Sequence, residues 1–336
     1  MSRPNTEHES GGPTFVRKTS DDPAYFPVMR VQRRRFRAPR VDAGPAQWRP
    51  RTRPISDLIS LAENPPGLHI DMRRGKADQY VAGLRATLET LPDGWSGGAD
   101  QEQDLATRVG SRIWYHTIEL PGGVVTPGAF DLRPIVPYYG IPENLRGKRA
   151  LDIGTWDGFW AFEFERRGAE VIALDLDKLS EIQFPAAIGA ALDASGLDQK
   201  FGGGFALAKE ALGSRVERIT RNVYDIDPSS VGEFELVHIG DVLQHLESPS
   251  RALRRVRSVT KELAIVSMTF DPRLPDEPIL RFQGGWKNAV WWTASLDATA
   301  QMLVDAGFSS VVVHAAYHLR ARTGGEAWEA VLHARP

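Results

Sequence analysis

The sequence predicts an α/β fold: a doubly wound sheet with an antiparallel last strand, preceded by an extended arm and a helical lid. Three observations carry this. From residue 149 onward, short apolar runs alternate with stretches of helical periodicity, which is the pattern of parallel strands joined by crossover helices. Only Arg320–Glu326 separates the last two apolar runs, too little for a crossover, so those strands form a hairpin. Eight prolines fall before residue 55, which marks an extended, broken arm that would be hard to fold alone.

In chain order, residues 1–55 read as an Arg/Pro-rich arm, partly disordered, with Phe26, Val28, Phe36 and Trp48 as apolar anchors. Residues 56–120 read as a helical subdomain. One short helix starts near Ser56. A clearer one spans 77–91, where Tyr80, Val81, Leu84, Leu88 and Leu91 share a face and Pro92-Asp93-Gly94 ends it. The α/β domain then covers 121–336. Its strands are expected at 149–154, 170–177, 216–226, 234–241, 262–270, 309–319 and 327–334. Helices are expected up to Arg166-Arg167-Gly168 and at 179–194, 204–213, 249–259 and 295–306. Ser248-Pro249 and Ser295 supply the caps of the last two.

With 42 % hydrophobic residues the 336-residue chain can bury a full core, which excludes wholesale disorder. The absence of cysteine removes disulfides, zinc fingers, iron–sulfur clusters and thiol nucleophiles together. No apolar run approaches the ~20 residues of a membrane helix. The first thirty residues lack a signal-peptide core, so a cytoplasmic protein is expected. The formal charge of −2 hides an asymmetry: residues 1–53 hold 12 Lys/Arg against 5 Asp/Glu. Arg30, Arg33, Arg34, Arg35, Arg37, Arg40, Arg49, Arg51 and Arg53 make up most of that excess. They suit a phosphate grip, but in a chain so much richer in Arg than Lys, a solvated or packing arm is the preferred reading.

The sharpest motif is Leu151-Asp152-Ile153-Gly154-Thr155-Trp156-Asp157-Gly158, at the first strand-to-helix turn. Gly154 permits a tight turn and close approach of a ligand; Gly158 lets the helix start near the strand. A dinucleotide fingerprint would need glycines where Trp156 and Phe159 stand, and no phosphate-loop lysine follows. Asp175 ends the next strand, 21 residues after Gly154, where an acid accepts both hydrogen bonds of a ribose diol. A nucleoside without pyrophosphate suits such a site. The alternative for Asp175 is an ordinary helix cap.

The segments WYHTIELPGGVVTPGAFD (114–131), LRGKRALDIGTWDGFWAFEFERRGA (145–169), VYDIDPSSVGEFELVHIGDVLQHLESPSRAL (223–253) and WWTASLDATAQMLVDAGF (291–308) resemble the class I S-adenosyl-L-methionine (SAM)-dependent methyltransferases. More narrowly, they resemble the branch of the tRNA wobble-uridine carboxymethyltransferase. The resemblance implies a Rossmann-like seven-stranded sheet. It also implies that Asp152 and Gly154, with Thr155 and Gly158 of the same turn, hold the amino acid end of SAM. Asp175 would take the ribose, Asn222, Val223 and Tyr224 would border the adenine, and Gly240 and Asp241 would lie near the reacting methyl. Strand-end packing is the other reading of Val223 and Tyr224. The tRNA branch uses a carboxylated SAM and reads V-L-Y-H where this chain has Val242-Leu243-Gln244-His245. Its tryptophan precedes a basic pair, whereas Trp114 precedes Tyr115 and His116. A lost charged partner removes a bond of ~1.5–3 kcal/mol, so plain SAM is expected.

An acceptor hydroxyl would need a base, and the candidates are His245, His116 and Asp241. His238, inside a strand, is assigned to the core. Trp114, Tyr115, Gln244, Trp286, Trp291 and Trp292 are the candidates for an aromatic acceptor pocket. No metal-ligand constellation is seen. The expectation is methyl transfer from SAM to a small organic acceptor, a specialised metabolite or sugar-like intermediate. The alternatives are a tRNA acceptor gripped by the arm and a SAM-binding module without turnover.

Overall fold

The computed structural model describes residues 28–29, 35–36, 74–89, 104–198, 200–285, 289–322 and 326–336. Most of the arm, Trp48 and all its arginines but Arg35 among them, the helix expected near Ser56, and Trp286 lie outside the described residues.

Seven strands form the frame: β3 (Arg149–Ile153), β4 (Glu170–Asp175), β5 (Glu217–Thr220), β6 (Phe234–Gly240), β7 (Thr260–Phe270), β10 (Ser310–Arg320) and β11 (Glu326–Arg335). Their spatial order is β5-β4-β3-β6-β7-β11-β10. Pairing is parallel from β5 to β7, while β11 runs antiparallel to both β7 and β10. The expected terminal hairpin is therefore present, and its second strand inserts between β7 and its own partner. Four short strands extend the frame. β1 (Val28–Met29) and β2 (Arg35–Phe36) pair with the outer edge of β10; β8 (Leu280–Phe282) and β9 (Trp292–Ala294) add a hairpin at the end of β7.

Alternation along the central strands feeds two separate cores. Leu151, Ile153 and Leu174 pack with α7 (Pro249–Val259) and α8 (Leu296–Asp305) on one face. Ala150, Val171 and Ala173 pack with α3 (Phe159–Arg166) and α5 (Gly203–Leu212) on the other. Two-sided burial is why these strands read as apolar runs without polar alternation. A third, smaller core joins Ala77 and Val81 of α1 (Arg74–Glu89) to Ile188 and Leu192 of α4 (Ala186–Ser195).

Three expectations need correction. The helix over 179–194 is split into a 3₁₀ turn at Leu179–Glu181 and α4. Pro185 has no N–H to donate and disfavours helical backbone before it. The strand over 216–226 stops at Thr220, because the Asn222 side chain accepts the Tyr224 N–H at 3.0 Å and starts a 3₁₀ turn. Ser248 does not cap α7 with its side chain, and its N–H binds the Tyr224 hydroxyl at 2.9 Å; Ser295 does cap α8, accepting from Ala298 N–H at 3.1 Å.

Candidate active site

A cavity of about 550 Å³ opens at the C-terminal ends of β3 to β7, where strand order reverses and α/β sheets bind ligands. Its volume falls within the range of small-molecule sites, roughly 300–1,000 Å³. Gly154, Asp175, Asn222, Val223, Gly240, Asp241, Tyr115, His116 and His245 all line it.

The β3 turn shapes one half. Gly154 has φ +75°, and a Cβ there would stand 2.3 Å from Val242 Cγ2, so only glycine leaves backbone open to a ligand. Trp156, also left-handed with φ +48°, donates its N–H to Asp175 Oδ2 at 2.6 Å. Leu176 N–H donates to Oδ1 at 2.8 Å. Burial pushes the Asp175 carboxyl up to about 6 against the pull of those two donors. Gly158, φ +90°, packs under the Phe162 and Phe205 rings and lies outside the cavity lining, as do Thr155 and Asp152.

Asp152 faces inward. Its Oδ1 lies 2.6 Å from His238 Nδ1, and His238 Nε2 lies 3.0 Å from the Tyr139 hydroxyl. This buried chain runs across β3 and β6 and makes His238 a core residue. Asp152 Oδ2 is buried without a partner, as is the Thr155 hydroxyl.

The other half is roofed by residues 112–132. Asp157, at the end of the glycine turn, accepts Tyr115 N–H at 2.6 Å and His116 N–H at 3.0 Å and so staples this roof to β3. Burial raises the Asp157 carboxyl to about 7 despite those donors. Burial also drives His116 down to about 3, which keeps its imidazole neutral, and its Nδ1 is buried without a partner. Tyr139 and Tyr317 complete the wall beside Tyr115. Asp241, just beyond β6, adopts φ +54°. Gln244 Nε2 donates to the Asp241 carbonyl at 3.0 Å and to Oδ1 at 3.3 Å.

The family of this chain is decided by a match over residues 131–313, more than half of its length, to the model of the methyltransferase domain. The chain belongs to the methyltransferase domain family. It is an S-adenosylmethionine-dependent enzyme. No curated protein matches it. Among solved structures it is similar to 1,6-didemethyltoxoflavin-N1-methyltransferase of Burkholderia thailandensis, at 16 % identity over 60 % of this chain and 78 % of that one, with a TM-score of 0.40. It is also similar to magnesium protoporphyrin IX methyltransferase of Synechocystis, at 17 % identity over 61 % and 78 %, TM-score 0.39. A third is a SAM-dependent methyltransferase of Mesorhizobium loti, at 15 % identity over 60 % and 97 %, TM-score 0.38. Likenesses this distant say nothing about the acceptor.

The methyltransferase has a site that fits its donor. The glycine cradle at 154 and the Asp175 carboxylate at the end of β4, both on the cavity lining, would take a nucleoside with an amino acid tail.

Several pocket candidates are placed elsewhere. Trp114 is 2 % exposed and spends its N–H on the Val109 carbonyl, so it is core. Trp291 and Trp292 lie outside the lining and donate to the carbonyls of Gln183 (2.6 Å) and Leu246 (3.0 Å), fastening loops that do line the cavity. Gln244 holds Asp241, and Tyr224, bonded to Gln183 and Ser248, knots loops together; neither lines the cavity. Sequence reasoning missed Trp156, Trp160, Tyr139 and Tyr317 on the wall, Tyr80 and Leu84 of α1 over it, and Glu329 behind Asp241. Only Glu329 left a signal: an acid inside the apolar run of the last strand.

Proposed function

We propose that this methyltransferase moves the methyl group of SAM to a small organic acceptor seated against Tyr115, Tyr139 and Tyr317. The observation that carries the reading is the largely aromatic lining of the cavity, to which Tyr115, Tyr139, Trp156, Trp160 and Tyr317 all contribute. An aromatic pocket of this volume suits a compact acceptor better than a base carried on a polymer. Arg221 is the only Lys or Arg among the described lining residues, and it sits beside Asn222. This supports plain SAM over a carboxylated donor, and it supports a departure from the tRNA branch at Gln244.

The bound donor supplies an electrophilic methyl on a sulfonium. The chain's own residues bind, orient and exclude water. Asp175 takes the ribose diol, the backbone at Gly154 faces the amino acid end, and Val223 and Asn222 border the base. Gly240 and Asp241 flank the reacting centre. Of the proposed lid, Tyr80, Leu84, Ile113, Tyr115 and His116 reach the cavity, and β1 and β2 edge β10.

The test is native mass spectrometry followed by isotopically labelled methyl transfer to an extract fractionated into small molecules and tRNA. Label in the small-molecule fraction is the expected outcome. Label in tRNA alone, or retained carboxylated SAM, overturns the reading.

A further inference from the structure

Glu329 occupies an interior position of β11 and is 1 % exposed. Its Oε1 accepts from the Thr269 hydroxyl at 2.6 Å, while Oε2 has no donor among the described residues. The neighbour within hydrogen-bonding reach is the carboxyl of Asp241. Glu329 is buried and Asp241 is half-buried, so of these two neighbouring carboxyls Glu329 is the one that keeps a proton and can donate it as a hydrogen bond to the other. Burial first, and then the charge of Asp241, push Glu329 well above the usual carboxylate range, so Glu329 is the donor.

Asp241 is held for one direction. Its N–H donates to the Ser267 carbonyl at 3.1 Å, Gln244 binds its carbonyl and Oδ1, and its backbone is held left-handed at φ +54°. It faces the cavity among Tyr115, Tyr139 and Tyr317. Burial, with the charge of Asp241 adding to it, raises these phenols well above 10, so they stay neutral. His116, at about 3, is too weak a base at rest.

We propose that Asp241 takes the proton of a hydroxyl or amine acceptor, and that Glu329 positions Asp241 by donating a hydrogen bond from its own carboxyl. This deepens the small-acceptor reading and rests on it. The acceptor atom forms the new bond to the methyl carbon, and the carbon–sulfur bond breaks with its electron pair left on sulfur. The acceptor's proton passes to Asp241 and then to water. A carboxylate acceptor has no proton to give and would add negative charge beside two acids, so the acceptor class is protic and not anionic.

Infrared difference spectroscopy on the full chain near neutral pH tests the pair without an acceptor. A protonated carboxyl band that Glu329→Gln removes is expected. If that variant does not fold, Thr269→Val, which deletes the other partner, must shift the same band. S-adenosylhomocysteine, used as the probe, should bind wild type, Glu329→Gln and Asp241→Asn within about threefold of one another. Absence of the band, or a band untouched by these changes, overturns the proposal. A tenfold or greater loss of probe affinity in Glu329→Gln also overturns it, because the pair would then serve the donor. Wild type that shows the band but binds no probe refutes the proposed function instead.

Discussion

The two halves of the cavity are built in different ways. The half at β3 and β4 is local: Gly154, Trp156, Asp157 and Asp175 fall within one strand–helix–strand step, and backbone N–H groups orient the carboxylates. The half beyond β6 is assembled from a distance, with Tyr115, Tyr139, Asp241, Thr269, Tyr317 and Glu329 arriving from six segments. A shared donor is recognised by turn geometry, which one short motif specifies. An acceptor is recognised by side chains whose meeting depends on the whole sheet.

The largest expected effect breaks the distant half alone. With the acceptor that labelled transfer identifies, Asp241→Asn should lower kcat by about 10²–10⁴-fold and leave donor affinity in place. Unchanged turnover would move the base to His245, whose Nδ1 lies 3.4 Å from the Ala289 carbonyl. Gly154→Ala should break the local half. The new Cβ meets Val242, and the left-handed backbone adds about 1–2 kcal/mol of strain, so calorimetry should show donor affinity down tenfold or more. Retained affinity would mean that Val242 yields.

A smaller effect separates the halves by pH. Asp175 titrates near 6, and a ribose diol needs its ionised form. Donor affinity should therefore be flat above that pH and fall about tenfold per unit below it, measured by fluorescence titration. The smallest effect is on stability. Glu329 is held neutral in the fold but ionises above its ordinary range near 4.5 when unfolded, so the native state binds the extra proton and stability declines as pH rises. Glu329→Gln cannot ionise, and its Tm advantage over wild type should grow by several degrees between about pH 5 and 8 in differential scanning calorimetry.

This contrast also explains what the sequence disclosed. Period and punctuation located the seven frame strands, and the turn at Gly154 with Asp175 located one end of the cavity, because both depend on neighbours in the chain. The tryptophans misled. Trp114, Trp291 and Trp292 look like a binding wall by composition, yet each indole N–H is used by a loop carbonyl. Tyr139 and Tyr317 carried no local mark, since a tyrosine reaching a cavity and one filling a core read alike. The split of the 179–194 helix turned on Pro185, a local signal that apolar periodicity overrode.

The central claim is that a nucleoside donor sits at Gly154 and Asp175. Calorimetric titration of S-adenosylhomocysteine into wild type and Asp175→Asn tests it most directly. One site per chain, weakened about tenfold or more by the loss of a charge-assisted pair of bonds, is the result expected. Equal affinity in the two proteins, or no binding to wild type, would contradict it.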